Sequence, residues 1–106
     1  MSDFERKRET KYKEKTRSKT KKPPLFKVLL HNDDYTTMDF VVYILKVVFY
    51  KENADAEAIM LSVHQRGSGV AGVYTFEIAE AKVDKVTKMA RAQDFPLRLS
   101  IEEDSP

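Results

Sequence analysis

From Leu25 onward the chain alternates short apolar runs with longer stretches in which apolar residues recur every three or four positions. The run LFKVLLH (25–31) is short and apolar or β-branched. Pro23-Pro24 bounds it on one side and Asn32-Asp33-Asp34 on the other, which predicts a strand. TMDFVVYILKVVFY (37–50) places Met38, Val41, Val42, Leu45, Val48 and Phe49 at helical spacing and predicts a broad apolar helix face. Thr36 is its predicted N-cap, with Asp39 completing a weak capping box. DAEAIMLSVHQR (55–66) predicts a second helix, with Ile59, Met60, Val63 and His64 on one side and Gly67 as its stop. VAGVYTFEI (70–78) predicts a strand in which Gly72 marks a bulge or a close backbone approach. AEAKVDKVTKMARAQ (79–93) predicts a third helix with Val83, Val86 and Met89/Ala90 inward. Pro96 then opens a last strand, LRLSIEE (97–103). The predicted order is β-α-α-β-α-β, an α+β pattern, with no internal repeat.

Length bounds this pattern to one small domain. The chain has 106 residues, of which about 84 carry the periodic pattern. No cysteine is present, so neither disulfides nor thiolate zinc sites staple the fold. No apolar run approaches the roughly 20 residues that span a bilayer. The charged N-terminus lacks the apolar segment of a secretory signal. The expectation is a soluble cytoplasmic protein.

Charge divides the chain in two. Residues 1–22 hold ten Lys/Arg against four Asp/Glu, a net +6. The remaining 84 residues hold nine against thirteen, a net −4. The extension has too few large apolar residues to offset its ordering entropy, so residues 1–22 are expected to be a disordered basic tail and residues 23–106 the domain. A basic tail suits nucleic acid or an acidic protein surface. The acidic body, with no aromatic stacking platform and no basic groove, argues against a nucleic-acid module.

The unusual chemistry lies in HNDDYTTMDF (31–40), where His31-Asn32-Asp33-Asp34 interrupts two apolar segments. NDDYTTMD lacks the alternating oxygen ligands and central Gly of a calcium loop. Two distant histidines, His31 and His64, give no zinc spacing. Nothing supplies an activated nucleophile, so neither a metal, a cofactor nor catalysis is expected. On the residues alone the leading reading is a strand-to-helix turn, in which Asn and Asp bond their own backbone. A single cap, however, needs one oxygen, and three consecutive polar side chains are present. Met38, Val41, Met60 and Val63 could floor an apolar pocket beside them. Methionines suit ligands of variable shape, and carboxylates beside such a pocket suit a ligand with a positive head and an apolar body.

KVLLHNDDYTTMDFVVYIL, AIMLSVHQRG, GVYTFEIAEAKV and ARAQDFPLRLSIEE together resemble the ClpS family, adaptors of the bacterial N-end (N-degron) rule, over residues 23–103. One departure is Thr37, where many family members carry Pro. The resemblance implies a single small α+β domain with an antiparallel sheet, of three strands here, packed on helices. It implies a binding protein, not an enzyme. Such a protein holds the free α-amino group and first side chain of a chain beginning with Phe, Tyr, Trp or Leu. It delivers that chain to a ClpA/ClpC-type AAA+ unfoldase coupled to the ClpP protease. By motif position, Asn32, Asp34 and His64 would cradle the amino group, with Asp33 adding negative potential. Thr36, Met38, Val41, Met60, Val63 and Leu97 would form the side-chain pocket, Met38 acting as gatekeeper against β-branched residues. Glu77 and Lys82 would dock on the unfoldase's N-terminal domain. The N-terminal extension would be drawn toward the unfoldase pore. His31 receives no role.

Overall fold

The computed structural model describes residues 22–105, and the expected disorder of the basic extension lies almost wholly outside them. The order is β1 (Phe26–His31), α1 (Met38–Val47), α2 (Asn53–Arg66), β2 (Ser68–Tyr74), α3 (Phe76–Ala92) and β3 (Arg98–Glu103). The most apolar strand, β1, is central: the sheet order is β2-β1-β3, and both pairings are antiparallel. This is the α+β architecture that the resemblance implies.

The pleat sends alternate β1 side chains to opposite faces. Val28 and Leu30 are fully buried, whereas Lys27, Leu29 and His31 keep partial access. Ile44 and Leu45 of α1, Ala56 and Val63 of α2, and Ala79, Val86 and Ala90 of α3 complete the core with Leu97. With Val41 of α1, also buried, the core positions of each helix recur three, four or seven residues apart, as an amphipathic face requires. His31, on the more open face, ties β1 to β3 through Nε2 and the Ser100 hydroxyl at 2.7 Å. Among the described residues no helix is long and apolar enough to cross a membrane.

The predicted irregularity at Gly72 is present. The β1–β2 register slips between Val28, opposite Gly72, and Leu29, opposite Val70. Ala71 is thus the extra residue of a bulge. A Cβ on Gly72 would lie 2.6 Å from Tyr74 Cζ, so a larger residue there would have to push the Tyr74 ring aside.

Three boundaries depart from the pattern. The segment FEI (76–78) alternates like a strand but opens α3 after Thr75, at φ −63°, ψ 161°. Phe76 and Ile78 are 43% and 49% exposed, so their alternation does not mark a buried strand face. Phe76 instead packs edge-on against Phe26, with ring centroids 5.2 Å apart. Helix α1 stops at Val47 rather than residue 50 because Tyr50 takes a left-handed φ of 56°. Val48 and Phe49 remain buried beyond the helix, so their apolar spacing did not require helical backbone. The N-cap of α1 is Thr37, not Thr36: the Thr37 hydroxyl accepts from the Phe40 N–H at 3.1 Å. With that cap the third helical residue is Phe40, so Asp39 completes no capping box.

Candidate functional site

The loop 32–37 joins β1 to α1, and its two ends are fixed differently. At its start, the Asn32 N–H donates to the Gly67 carbonyl at 2.9 Å. Gly67 is the C-cap of α2, in the left-handed region at φ 93°, and its own N–H returns to the Val63 carbonyl at 3.0 Å. The polar loop is thereby pinned to the end of α2, one turn from His64. Residues distant in sequence meet because a strand terminus and a helix terminus satisfy each other's orphan backbone groups.

Asp33 then shapes the loop. Its Oδ1 accepts from the Tyr35 and Thr36 N–H groups at 2.8 and 2.7 Å, and its Oδ2 accepts from the Thr36 hydroxyl at 2.7 Å. Partial burial disfavours the carboxylate, but the Thr36 N–H, the Thr36 hydroxyl, the Tyr35 N–H and the Arg91 charge together outweigh it. The Asp33 carboxyl therefore lies below its ordinary value of 3.8. Sequence reasoning gave Asp33 only added negative potential at the site; it is also the organiser of the turn. An Asp followed three residues later by Thr is the local signal for that role. Nothing local points to Arg91.

The loop and two helices enclose a cleft of about 250 Å³. Met38 and Val41 of α1 and Met60 and Val63 of α2 supply its apolar walls. Each pair is three residues apart, on one helix face. Asn32, Asp33, Asp34, Thr36 and His64 supply its polar side. The side chains of Asn32, Asp34 and His64 make no hydrogen bond to any other described residue, in contrast to Asp33. One cleft thus joins an apolar wall to an amide oxygen, a carboxylate and an imidazole that have no partner among the described residues. That combination can accept hydrogen bonds from a cationic head while it covers an apolar body. Among the described residues no group of three or more His, Cys, Asp or Glu stands close enough to hold a metal ion.

Leu97 does not belong to this lining. It is 1% exposed and sits in the core cluster, its carbonyl accepting from Arg91 Nη1 at 3.0 Å. Val41 and Val63 belong to the same buried cluster and do line the cleft, so Leu97 stands in the core that backs its apolar wall.

Glu77 and Lys82 lie on α3, away from the cleft. Five residues at 3.6 per turn set them roughly 140° apart around the helix. Glu77 is exposed in the first turn. Lys82 is half-buried: Nζ donates to the Val48 carbonyl at 2.7 Å and lies 4.8 to 5.8 Å from the ring centroids of Tyr50, Tyr74 and Phe49. Burial, and secondarily the Lys85 charge, push its ammonium below the usual lysine value. Spacing and composition could not show this, because all three rings come from other elements.

A sequence profile described as "ATP-dependent Clp protease adaptor protein ClpS" matches residues 21–100. An ATP-dependent Clp protease adapter protein ClpS of Myxococcus xanthus (strain DK1622) is 59% identical over 86 residues, covering 81% of this chain and 80% of that one. A protein of the same name from Desulfatibacillum aliphaticivorans is 61% identical over 84 residues, covering 79% and 81%. Among solved structures, Agrobacterium tumefaciens ClpS2 bound to L-phenylalaninamide superposes with a TM-score of 0.75 at 37% identity, covering 78% of this chain and all of that one.

Proposed function

Since this chain belongs to the ClpS family of ATP-dependent Clp protease adaptors, we propose that its 250 Å³ cleft receives the first residue of proteins beginning with Phe, Tyr, Trp or Leu. The observation that carries this reading is the meeting of Asn32, Asp34 and His64, unpartnered among the described residues, with the apolar walls of Met38, Val41, Met60 and Val63. Phenylalaninamide, the ligand of the Agrobacterium relative, has the free amino group and side chain of a chain that begins with Phe.

In this mechanism the ligand's ammonium donates to the Asn32 side-chain oxygen, to the Asp34 carboxylate and to a neutral His64 nitrogen. Asp33 stays ionised and adds negative potential while it holds the turn. The first side chain fills the space between α1 and α2, and Met38 at the mouth disfavours β-branched residues. Burying a Phe or Leu side chain contributes roughly 1.5–3 kcal/mol. Each hydrogen bond to a charged group adds about 1.5–3 kcal/mol. Together these offset association costs and leave micromolar affinity, about −8 kcal/mol. A phosphate would meet Asp33 and Asp34, so nucleic acid is not the ligand.

The protein hands its cargo to the Clp protease and so modulates that protease's substrate choice. The partner we propose is a ClpA/ClpC-type AAA+ unfoldase, docked through Glu77 and Lys82 on its N-terminal domain. We take residues 23–106 as the adaptor domain and residues 1–22 as an extension used in delivery, in a cytoplasmic protein that performs no catalysis itself. The test is fluorescence anisotropy with peptides that differ only in the first residue and its acetylation. Free Phe-, Tyr-, Trp- and Leu-initiated peptides should bind, and acetylation should weaken them at least about tenfold, the loss of one charged hydrogen bond. Equal binding of free and acetylated peptides would refute the reading.

A further inference from the structure

The chain contains no cysteine, so every sulfur it carries is a methionine thioether, at Met1, Met38, Met60 and Met89. Met1 lies outside the described residues. Met89 packs against the buried core from α3. Met38 and Met60 both line the 250 Å³ cleft, one on α1 and the other on α2. Their access to solvent differs. Met60 is partly buried and packs against the core, whereas Met38 is 43% exposed. Met38 opens α1 directly after the Thr37 cap, whose hydroxyl accepts from the Phe40 N–H at 3.1 Å. The backbone that carries this thioether is thus anchored, while its side chain meets solvent.

A thioether in that position has two opposed properties. As a flexible, polarizable group it fits apolar bodies of varied shape. As an exposed sulfur it is open to oxidation by peroxides. In that step a sulfur lone pair attacks one peroxide oxygen; the S–O bond forms as the O–O bond breaks. Sulfur loses two electrons and the peroxide gains them. With hydrogen peroxide, the proton of the transferred oxygen passes to the departing hydroxide, which leaves as water. The product, a sulfoxide, is polar and chiral, and its oxygen is a hydrogen-bond acceptor. The Val41, Met60 and Val63 side chains offer that oxygen no donor, and the Asp33 and Asp34 carboxylates on the same cleft repel it.

We propose that Met38 is a modification site for peroxides, and that its sulfoxide lowers the affinity of the cleft for apolar first residues. The site stands on the exposure and position of Met38; its effect on binding rests on the function proposed above. Reductases return a sulfoxide to the thioether at the expense of a dithiol, so the change is reversible. The dithiol becomes a disulfide and the sulfoxide oxygen leaves as water. With no cysteine in the chain, neither oxidant nor reductant finds a thiol or disulfide of this protein to act on. Recognition of the first residue thereby becomes peroxide-sensitive at one thioether, with the less exposed Met60 reacting more slowly.

Treating the full chain with hydrogen peroxide and mapping the added oxygen by mass spectrometry reads the site with no ligand present. Met38 should gain oxygen faster than Met60 and Met89. A saturating Phe-initiated peptide should slow that gain, because the ligand covers the sulfur. By fluorescence anisotropy, the chain oxidised at Met38 should bind the same peptide about 5- to 30-fold more weakly, the effect of one polar group left unpartnered. Its urea midpoint should stay unchanged, because the Met38 side chain is exposed. Methionine sulfoxide reductases for both sulfur epimers, supplied with dithiothreitol, should restore the affinity. Met38→Leu, compared only with itself before and after peroxide, should give a ratio near one, whereas Met89→Leu should lose affinity as the parent chain does. Oxidation no faster at Met38 than at Met89 would overturn the proposal, as would a loss that Met38→Leu does not prevent or that comes with unfolding. If the unoxidised chain fails to bind the peptide, the reading of the cleft falls and this effect with it. If the unoxidised chain binds and oxidation at Met38 changes nothing, only this inference falls.

Discussion

The Asn32 N–H and the Gly67 carbonyl, 2.9 Å apart, couple the polar loop to the end of α2. This bond sets the distance between Asn32 on one side of the cleft and His64 on the other. Gly67 holds its left-handed φ of 93° with open space where a Cβ would be. Gly67→Ala therefore meets no collision, only backbone strain of about 1–2 kcal/mol. Urea denaturation should show that loss, and anisotropy should show weaker binding of a Phe-initiated peptide. If stability falls with affinity unchanged, the α2 terminus does not set the site.

Asn32→Ala and His64→Ala should each weaken binding about 10- to 100-fold, the worth of one hydrogen bond to a charged group. Both residues are exposed, so unfolding free energy should change by less than about 0.5 kcal/mol. Affinity should also fall as pH rises through about 8, where a peptide's α-amino group loses its proton. Met38→Ala should open the mouth and raise binding of Val- and Ile-initiated peptides relative to Phe. A uniform loss across all first residues would remove Met38 from the specificity role.

Asp33 links the site to acid stability. Its folded-state pKa lies below the ordinary 3.8, so the fold favours the carboxylate. The stabilisation is fully present above the ordinary value and is lost as pH falls through the folded-state value. Urea midpoints followed from neutral pH down to about 3 should fall less steeply for Asp33→Asn than for the parent chain. At neutral pH the variant should be the less stable of the two, because the Tyr35 and Thr36 donors face a neutral amide. Parallel acid limbs would show that Asp33 carries no net stabilisation.

Glu77 and Lys82 should separate in a docking experiment. Glu77→Gln changes an exposed side chain and should leave stability within about 0.5 kcal/mol. Lys82→Met removes the hydrogen bond to the Val48 carbonyl and the three ring contacts, and should cost about 1–2 kcal/mol. Pull-down with the unfoldase N-terminal domain should weaken for both variants. Docking that survives Glu77→Gln would move the interface elsewhere on the domain.

Much of the fold was legible because apolar periodicity reports burial directly. Val28 and Leu30, Ile59 and Val63, and Val86 and Ala90 lie where strand and helix spacing put them. Where the reading failed, one local pattern had two physical solutions. Phe76 and Ile78 alternate as in a strand yet open a helix, since their partial exposure asks for no sheet face. Val48 and Phe49 keep helical spacing while a left-handed Tyr50 ends the helix.

The amino-acid sequence alone determined the element order, the Gly67 stop, the irregularity at Gly72 and the polar composition of the 32–34 stretch, because each depends on residues near in the chain. Its motifs also sufficed to name the family. Tertiary structure alone decided which polar side chains are left to bind a ligand. Thr36 donates to Asp33, which moves the cap to Thr37; Asp33 is consumed by the turn, while the side chains of Asn32, Asp34 and His64 make no hydrogen bond to another described residue. It also drew Leu97 into the core and set Lys82 among three rings. Hydrogen-bond partners and ring contacts are settled by competition among groups far apart in sequence, and local spacing does not record who wins.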